Sequence, residues 1–189
     1  MATEDAIESQ IANKLIRCFK KGNKVLICGN GGSAAEASHF AGELMCKYKM
    51  ERPALPAITL NDPAVVSAIS NDYGYTFVFR RQIEALGKAG DLLITLTCSG
   101  LSPNILWAEE KARELGMTVI RFPTNKETGL DTAGTQQIHL DLIHRISGAV
   151  EERMFKWWKG VLLVITLKGV GGTINAPSAI AHKSLCFFF

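Results

Sequence analysis

The chain has 189 residues, which is enough for one domain with a complete hydrophobic core. Aliphatic residues are plentiful and the net charge is only +3, from scattered lysines and arginines, which argues against a disordered chain and against nucleic acid as the main partner. Five cysteines without a C-x-x-C pair, together with the lack of a signal peptide or bilayer-spanning run, predict a cytoplasmic protein with no membrane partner.

Hydrophobic periodicity predicts helices and strands that alternate along the chain. In chain order we expect a helix ending near residue 20, a strand at 25–28, a helix to about 47, a strand at 56–60, a short apolar segment at 64–69, a helix at 77–86, a strand at 91–97, a helix at 105–115, a strand at 117–122, a polar loop at 124–134 and a helix from 135. An Asn-Asp-Pro turn or helix cap precedes the segment at 64–69. Strands separated by helices of this length indicate a parallel α/β sheet with helices on both faces, which binds ligands at the carboxyl ends of its strands.

Two polar turns fall at such strand ends, and each leads into a helix. The first is Gly29-Asn30-Gly31-Gly32-Ser33, whose glycines permit a sharp turn and a close approach of bare backbone to a ligand. The second, at residues 97–102, places three hydroxyls and several N–H groups at a helix N-terminus, with Ser102 as the N-cap and Pro103 in the first turn. Such a helix end favours a dianionic phosphate. The alternative is an ordinary strand-to-helix turn followed by a Ser-Pro cap.

A pair of candidate metal ligands follows the first turn. His39 and Glu43 are four residues apart, so they share one face of the predicted helix. A sugar-phosphate or nucleotide pocket beside a metal site is therefore the first hypothesis. The alternative is a solvent-exposed pair beside a plain turn.

Six motifs occur in the order in which a known family has them: Gly-Asn-Gly-Gly-Ser, His-Phe-Ala-x-Glu-Leu, Arg-Pro-Ala-Leu-Pro-Ala-Ile, Asn-Asp-Tyr-Gly, Ser-Gly-x-Ser-Pro-Asn and Gln-x-x-His-x-x-x-x-His. Over residues 21–152 the chain resembles the sugar isomerase (SIS) domain and, within it, the phosphoheptose isomerase family. The resemblance implies a flavodoxin-like three-layer αβα sandwich with a parallel sheet, assembled as a homotetramer with active sites between subunits. We expect an SIS domain at 1–154 and an atypical apolar tail at 155–189.

The resemblance also implies roles for residues by position. The implied zinc ligands, for one metal per site, are His39, Glu43, Gln136 and His144. The implied substrate-binding residues are Asn30, Gly31, Gly32, Ser33, Glu43, Asn71, Asp72, Thr97, Cys98, Ser99, Ser102 and Gln136. Glu43 and His144 are the implied catalytic base and acid. Gln136 and His144 lie eight apart on one stripe of the last helix, whereas His139 points to another side and is expected to be packed or exposed.

The implied reaction interconverts a 2-ketose phosphate and an aldose phosphate. Sedoheptulose 7-phosphate becomes D-glycero-D-manno-heptose 7-phosphate through an enediol, as a step in heptose precursor biosynthesis. The base and the acid that such chemistry needs are both present, as Glu43 and His144. Two alternatives stay open: a non-catalytic SIS module that binds a phosphosugar or a protein partner, for example as a regulator of replication initiation, and a poorly folded remnant.

Several positions depart from the family pattern. The phosphate loop Ser-Thr-Ser-Gly-Asn-Ser has Cys98 and Leu101 in place of a hydroxyl and an amide, and Lys47 stands for an arginine. A carboxylate and a guanidinium are absent before the last helix, and a loop, a helix and a fifth strand are missing between 120 and 135. The apolar run at 161–167 is interpreted as a replacement strand, an interface-seeking segment or, as we favour, sequence foreign to the domain.

Overall fold

Seven α-helices and four β-strands make up residues 2–156, the part of the chain that the computed structural model describes. The helices are α1 (Ala2–Lys20), α2 (Gly32–Met45), α3 (Pro63–Tyr73), α4 (Val78–Leu86), α5 (Pro103–Glu114), α6 (Asn125–Thr128) and α7 (Thr132–Phe155). The strands are β1 (Val25–Gly29), β2 (Ala57–Thr59), β3 (Leu92–Leu96) and β4 (Thr118–Arg121). A 3₁₀ turn (Tyr75–Phe77) leads into α4. None of the helices in this part of the chain is long and apolar enough to cross a membrane.

The four strands form one parallel sheet in the order β2-β1-β3-β4. β1 pairs with β3 along its whole length, from Val25 opposite Leu92 to Gly29 opposite Leu96. Every residue of these two central strands is buried, because helices cover both faces of the sheet. Since the strands are parallel neighbours, their carboxyl ends bring the two polar turns side by side.

Two hydrophobic clusters, one on each face of the sheet, show how the helices are layered. One cluster joins α1, α2 and α7 to the sheet, with Leu15, Phe40 and Ile143 fully buried. The other joins α4 and α5 to the opposite face through residues such as Ile83 and Ile105, with α3 at its margin. The predicted three-layer αβα architecture is confirmed. The sheet formed by the described residues has four strands.

The apolar segment after β2 belongs to the helix α3. The Asp62 carboxylate accepts a hydrogen bond from Val65 N at 3.0 Å, which confirms the predicted cap. No residue of α3 is buried, although the helix is rich in alanine, valine and isoleucine. Val65 and Tyr73 are 39% and 52% exposed, so α3 presents apolar surface outward.

The prediction of a continuous polar loop at 124–134 is wrong. Thr124 and Glu127 form a capping box that starts α6, with Thr124 N donating to Glu127 Oε2 at 2.7 Å. The Asp131 carboxylate accepts from Gly134 N at 2.8 Å, so α7 begins at Thr132 and not at 135. Local side-chain caps therefore create helix where hydrophobic periodicity gives no signal.

The predicted domain boundary at 154 falls inside α7. This helix ends at Phe155, which is buried in the core beside the Arg52 guanidinium. The three interpretations of the apolar run at 161–167 concern residues outside the described part of the chain.

Candidate active site

The first polar turn is shaped by glycines between β1 and α2. A Cβ at Gly29 would lie 2.6 Å from the carbonyl oxygen of Ser33, so glycine is needed for the chain to double back there. Gly31 has a φ of 55°, in the left-handed region that glycine favours. A Cβ at Gly32 would overlap the Gln136 amide. This turn therefore allows the start of α7 to lie directly against the start of α2.

Both polar turns line one cleft of about 290 Å³ at the carboxyl ends of β1 and β3. The residues that line the cleft are Asn30, Gly32, Ser33, Leu96, Thr97, Cys98, Ser99, Ser102, Thr132 and Gln136. Most of them belong to the predicted substrate-binding set, and Leu96 and Thr132 are additions that sequence reasoning missed. The structure thus brings together in one place residues that are more than a hundred positions apart in the chain.

The second turn places the N-terminus of α5 beside this cleft. Gly100 N donates to Thr97 Oγ1 and Leu101 N donates to Ser99 Oγ, both at 3.2 Å. Ser102 is the N-cap residue of α5, as predicted, but its side chain makes no capping hydrogen bond. Helix N–H groups without a side-chain cap, together with the positive end of the helix dipole, favour an anion such as phosphate here.

Neighbouring side chains hold two residues of the cleft. Asn30 exchanges amide hydrogen bonds with Asn104 at 2.8 and 3.0 Å and accepts another from the Tyr75 hydroxyl at 2.8 Å. Cys98 Sγ lies 4.0 Å from Ser33 Oγ, and burial raises the pKa of its thiol. Cys98 therefore contributes a neutral thiol where the family pattern has a hydroxyl.

A second group of polar side chains, the His-Glu-His cluster (His39, Glu43 and His144), lies where α2 packs on α7. Glu43 Oε1 is 3.2 Å from His39 Nε2 and 3.5 Å from His144 Nε2, and the two imidazole nitrogens are 3.1 Å apart. Glu43 is buried, and its Oε2 has no hydrogen-bond partner among the described residues. The ligand atoms of the three residues all lie within 4.8 Å of one another. Such a set of nitrogen and oxygen donors can hold a divalent metal.

Three other predicted site residues lie apart from this cluster. Gln136 is eight residues, and so about 12 Å along α7, from His144; it lines the cleft and contacts Gly32. Asn71 and Asp72 are exposed at the end of α3, where Asn71 Nδ2 donates to Asp72 Oδ1 at 2.8 Å. In a single chain these two residues do not line the cleft, because α3 ends beside α4. Their role in substrate binding stays a prediction.

Further side chains support the site, and sequence reasoning missed Glu36 and Tyr48 among them. His139 is packed, with no exposed surface; its Nδ1 lies 3.4 Å from Glu36 Oε2 and its Nε2 lies 2.6 Å from the Pro123 carbonyl oxygen. The Tyr48 ring stacks on the His144 ring. Spacing within one helix could not indicate the Glu36–His139 pair, because it joins α2 to α7. Nothing in the irregular segment around Tyr48 indicated its contact.

Together, the fold and the two groups of side chains define a parallel α/β domain with a polar cleft at the carboxyl ends of its strands and a candidate metal centre beside it. A family model described as the SIS domain matches residues 2–122. A phosphoheptose isomerase of Campylobacter jejuni subsp. jejuni serotype O:6 is 45% identical over 166 residues, which cover 78% of this chain and 89% of the relative. A phosphoheptose isomerase of Trichlorobacter lovleyi is 42% identical over 167 residues, covering 80% of this chain and 85% of the relative.

Solved structures show the same relationship. Phosphoheptose isomerase GmhA from Neisseria gonorrhoeae is 35% identical with a TM-score of 0.70, over 78% of this chain and 86% of that chain. A phosphoheptose isomerase from Francisella tularensis is also 35% identical, with a TM-score of 0.71 and the same coverage. The chain therefore belongs to the SIS-domain family and, within it, to the phosphoheptose isomerases, as its motifs predicted.

Proposed function

We propose that this chain is an aldose–ketose isomerase that converts sedoheptulose 7-phosphate into D-glycero-D-manno-heptose 7-phosphate through an enediol, for heptose precursor biosynthesis. The observation that carries the proposal is Glu43, a buried carboxylate that faces two imidazoles and keeps one oxygen unpartnered among the described residues. The names of relatives at 45% and 42% identity, phosphoheptose isomerase, support the same activity.

We infer that the cluster holds one zinc ion, with His39, Glu43 and His144 as ligands. Gln136, the fourth ligand that the resemblance implies, lies against Gly32 in a single chain and would have to turn toward the cluster to bind the same ion. The residues present fit this metal, because imidazole nitrogen and carboxylate oxygen are among its usual ligands. Glu43 Oε2 fits as well, since a bound cation would satisfy a buried oxygen that accepts no hydrogen bond from residues 2–156. When bound, the metal supplies a Lewis acid that polarises substrate oxygens.

We place the substrate phosphate at the N-terminus of α5, beside the hydroxyls of Ser99 and Ser102. Ser33, at the start of α2, lines the same cleft, and Glu43 lies ten residues, or about 15 Å, farther along that helix. A phosphate held in the cleft therefore leaves an extended sugar chain pointing along α2 toward Glu43. Fixing one end of the substrate in this way reduces the entropy that must be lost to reach the reactive geometry.

In this mechanism Glu43 acts as the base. Its carboxylate removes a proton from C1 of the ketose, and the electron pair of that C–H bond forms the C1–C2 double bond of the enediol while the C2 oxygen gains a proton. Glu43 then returns a proton to C2, and the C1 oxygen loses its proton to give the aldehyde. His144, whose Nε2 is 3.5 Å from Glu43 Oε1, moves the proton between the two oxygens.

We further infer a homotetramer with sites between subunits that acts on a sugar phosphate in the cytoplasm. The exposed apolar residues of α3, such as Val65, offer surface for contact between subunits. Asn71 and Asp72 at the end of that helix are exposed and thus available to the cleft of a neighbouring subunit.

Glu43→Gln tests the isomerase proposal, because glutamine keeps the size and an oxygen ligand but cannot accept the proton. Turnover should fall by about 10²- to 10⁴-fold, the usual contribution of a general base. The KM for sedoheptulose 7-phosphate should change little, since the lost interaction belongs to the transition state. Product formation and proton exchange with solvent are followed by NMR, and bound zinc is measured in each sample. Glu110→Gln, at an exposed position of α5, is the matched control.

One result would favour the alternative of a non-catalytic module. If the wild-type protein binds the phosphosugar, keeps its zinc and still exchanges no proton with solvent, the isomerase proposal fails. A non-catalytic module that binds a phosphosugar would then be the better account.

A further inference from the structure

Tyr48 lies flat against His144. The two rings are stacked, with centroids 5.6 Å apart and 11° between their planes. The His39 ring meets His144 edge-on, with centroids 5.2 Å apart and planes at 79°. The His144 side chain is 37% exposed, so these two rings, and not the hydrophobic core, are what surround its imidazole.

The backbone at Tyr48 is itself fixed to α7. Glu151 Oε1 accepts a hydrogen bond from Tyr48 N at 2.7 Å, and its other oxygen accepts from the N–H groups of the next two residues at 2.9 Å. The ring also packs against α7 at Gly148, where a Cβ would lie 3.5 Å from it, at ordinary van der Waals distance. His144, Gly148 and Glu151 follow one stripe of α7 at i, i+4 and i+7. One face of α7 thus carries both the His144 imidazole and Glu151, which holds the backbone of Tyr48 in place.

The orientation of His144 depends on such a neighbour. Rotation of an imidazole about its Cβ–Cγ bond has broad minima, so a partly exposed ring is not held by its own torsional preference. Rotation would move Nε2 away from Glu43 Oε1. We infer that Tyr48 is a positioning residue for His144, whose stacked ring holds the imidazole in the plane that points Nε2 into the His-Glu-His cluster. The kinetic consequence of this role rests on the proposed isomerase function, whereas its effects on ring orientation and metal affinity do not.

Two substitutions distinguish the contribution of the Tyr48 ring from that of its hydroxyl. For Tyr48→Leu we expect zinc affinity, measured by chelator competition, and kcat each to fall about 10- to 100-fold, as happens when groups that orient metal ligands are lost. The KM should change less than about twofold. Tyr48→Phe keeps the ring and should match the wild type in all three quantities. Trp107→Leu, at a partly exposed position of α5, controls for the loss of a surface aromatic, and thermal unfolding shows whether each variant folds.

A measurement on the metal-free protein keeps orientation separate from activity. Nuclear Overhauser contacts between ring protons of His39 and His144 should be present in the wild type and in Tyr48→Phe, and absent in Tyr48→Leu. If Tyr48→Leu retains them, or binds zinc within about twofold of the wild type, the inference is overturned. It is also overturned if Tyr48→Phe loses as much as Tyr48→Leu, because the hydroxyl would then be responsible. If the wild type does not isomerise the sugar while these differences persist, the proposed function fails and the positioning role stands.

Discussion

Glu151→Gln tests how strongly the irregular segment after α2 is anchored to α7. The Glu151 Oε1 atom accepts from Tyr48 N at 2.7 Å and from Arg52 Nε at 3.1 Å, while Oε2 accepts from the N–H groups of residues 49 and 50 at 2.9 Å. The side chains of Glu151 and Arg52 are only 3% and 1% exposed. Glutamine keeps one accepting oxygen and turns the other into an NH₂ group that faces donors. At least two of the four hydrogen bonds are therefore lost together with the charge.

The size of the effect is set by the charge left on Arg52. Burial lowers the pKa of this guanidinium, and its attraction to Glu151 opposes that shift. Removing one partner of a buried ion pair costs about 3–5 kcal/mol. Arg52 also donates to the carbonyl oxygens of Glu43 and Leu44 at 2.6 and 2.7 Å, and these bonds survive in the variant. We therefore expect the lower end, about 3 kcal/mol, which lowers the Tm of a chain of this length by about 6–12 °C.

The assay is unfolding by heat and by urea, followed by circular dichroism at one fixed protein concentration, because assembly makes stability depend on concentration. Glu152→Gln makes the same chemical change at the next, exposed position and should stay within about 0.5 kcal/mol of the wild type. A loss below about 1 kcal/mol for Glu151→Gln would show that solvent or the new amide replaces the missing bonds. That result would refute the anchoring argument.

Two further predictions concern a buried network and the cleft. Burial opposes ionisation of Glu109, but hydrogen bonds from Arg121, Thr95 and Arg113 outweigh it and hold its pKa below the usual 4.5. The ionised Glu109 carboxylate therefore stabilises the fold above about pH 4.5, and this contribution is lost as the pH falls through the lowered pKa. The difference in unfolding free energy between the wild type and Glu109→Gln should accordingly shrink in acid. A difference that stays constant from neutral pH into acid would contradict this. Ser99→Ala with Ser102→Ala should raise the KM for the phosphosugar roughly 30-fold, from about 1 kcal/mol per hydroxyl. Ser38→Ala is the control, and an unchanged KM would move the anion site elsewhere.

The sheet was predictable because its central strands carry an unmistakable pattern. β1 and β3 are short apolar runs between turn signals, and burial on both faces is what makes such runs continuous. The start of α7 was not predictable in the same way. It depends on one hydrogen bond from Gly134 N to the Asp131 carboxylate, in a polar stretch where periodicity is silent.

The candidate site was likewise predictable only where its contacts lie within one element of the chain. His39 and Glu43 could be paired from their spacing on one helix, whereas His144 could join them only through resemblance, because its contact depends on how α7 packs on α2. Tyr48 could not be found at all. Its position is fixed by Glu151, 103 residues later in the chain, and no local pattern in the segment after α2 carries that information.

None of the departures from the family pattern falls on a residue of the His-Glu-His cluster, which favours the isomerase over the non-catalytic module. The cluster stands on α2 and α7, which are fixed to the central strands through the fully buried Phe40 and Ile143. Within residues 2–156, β4 is an edge of the sheet, and Arg121 ties it to Glu109 of α5, on the opposite face. The lack of a strand beyond that edge would therefore leave Glu43 and the two imidazoles in place. Cys98, in contrast, lines the cleft in which we place the substrate phosphate. Under the proposed function we therefore expect this departure to weaken substrate binding, and so to raise the KM, before it affects proton transfer.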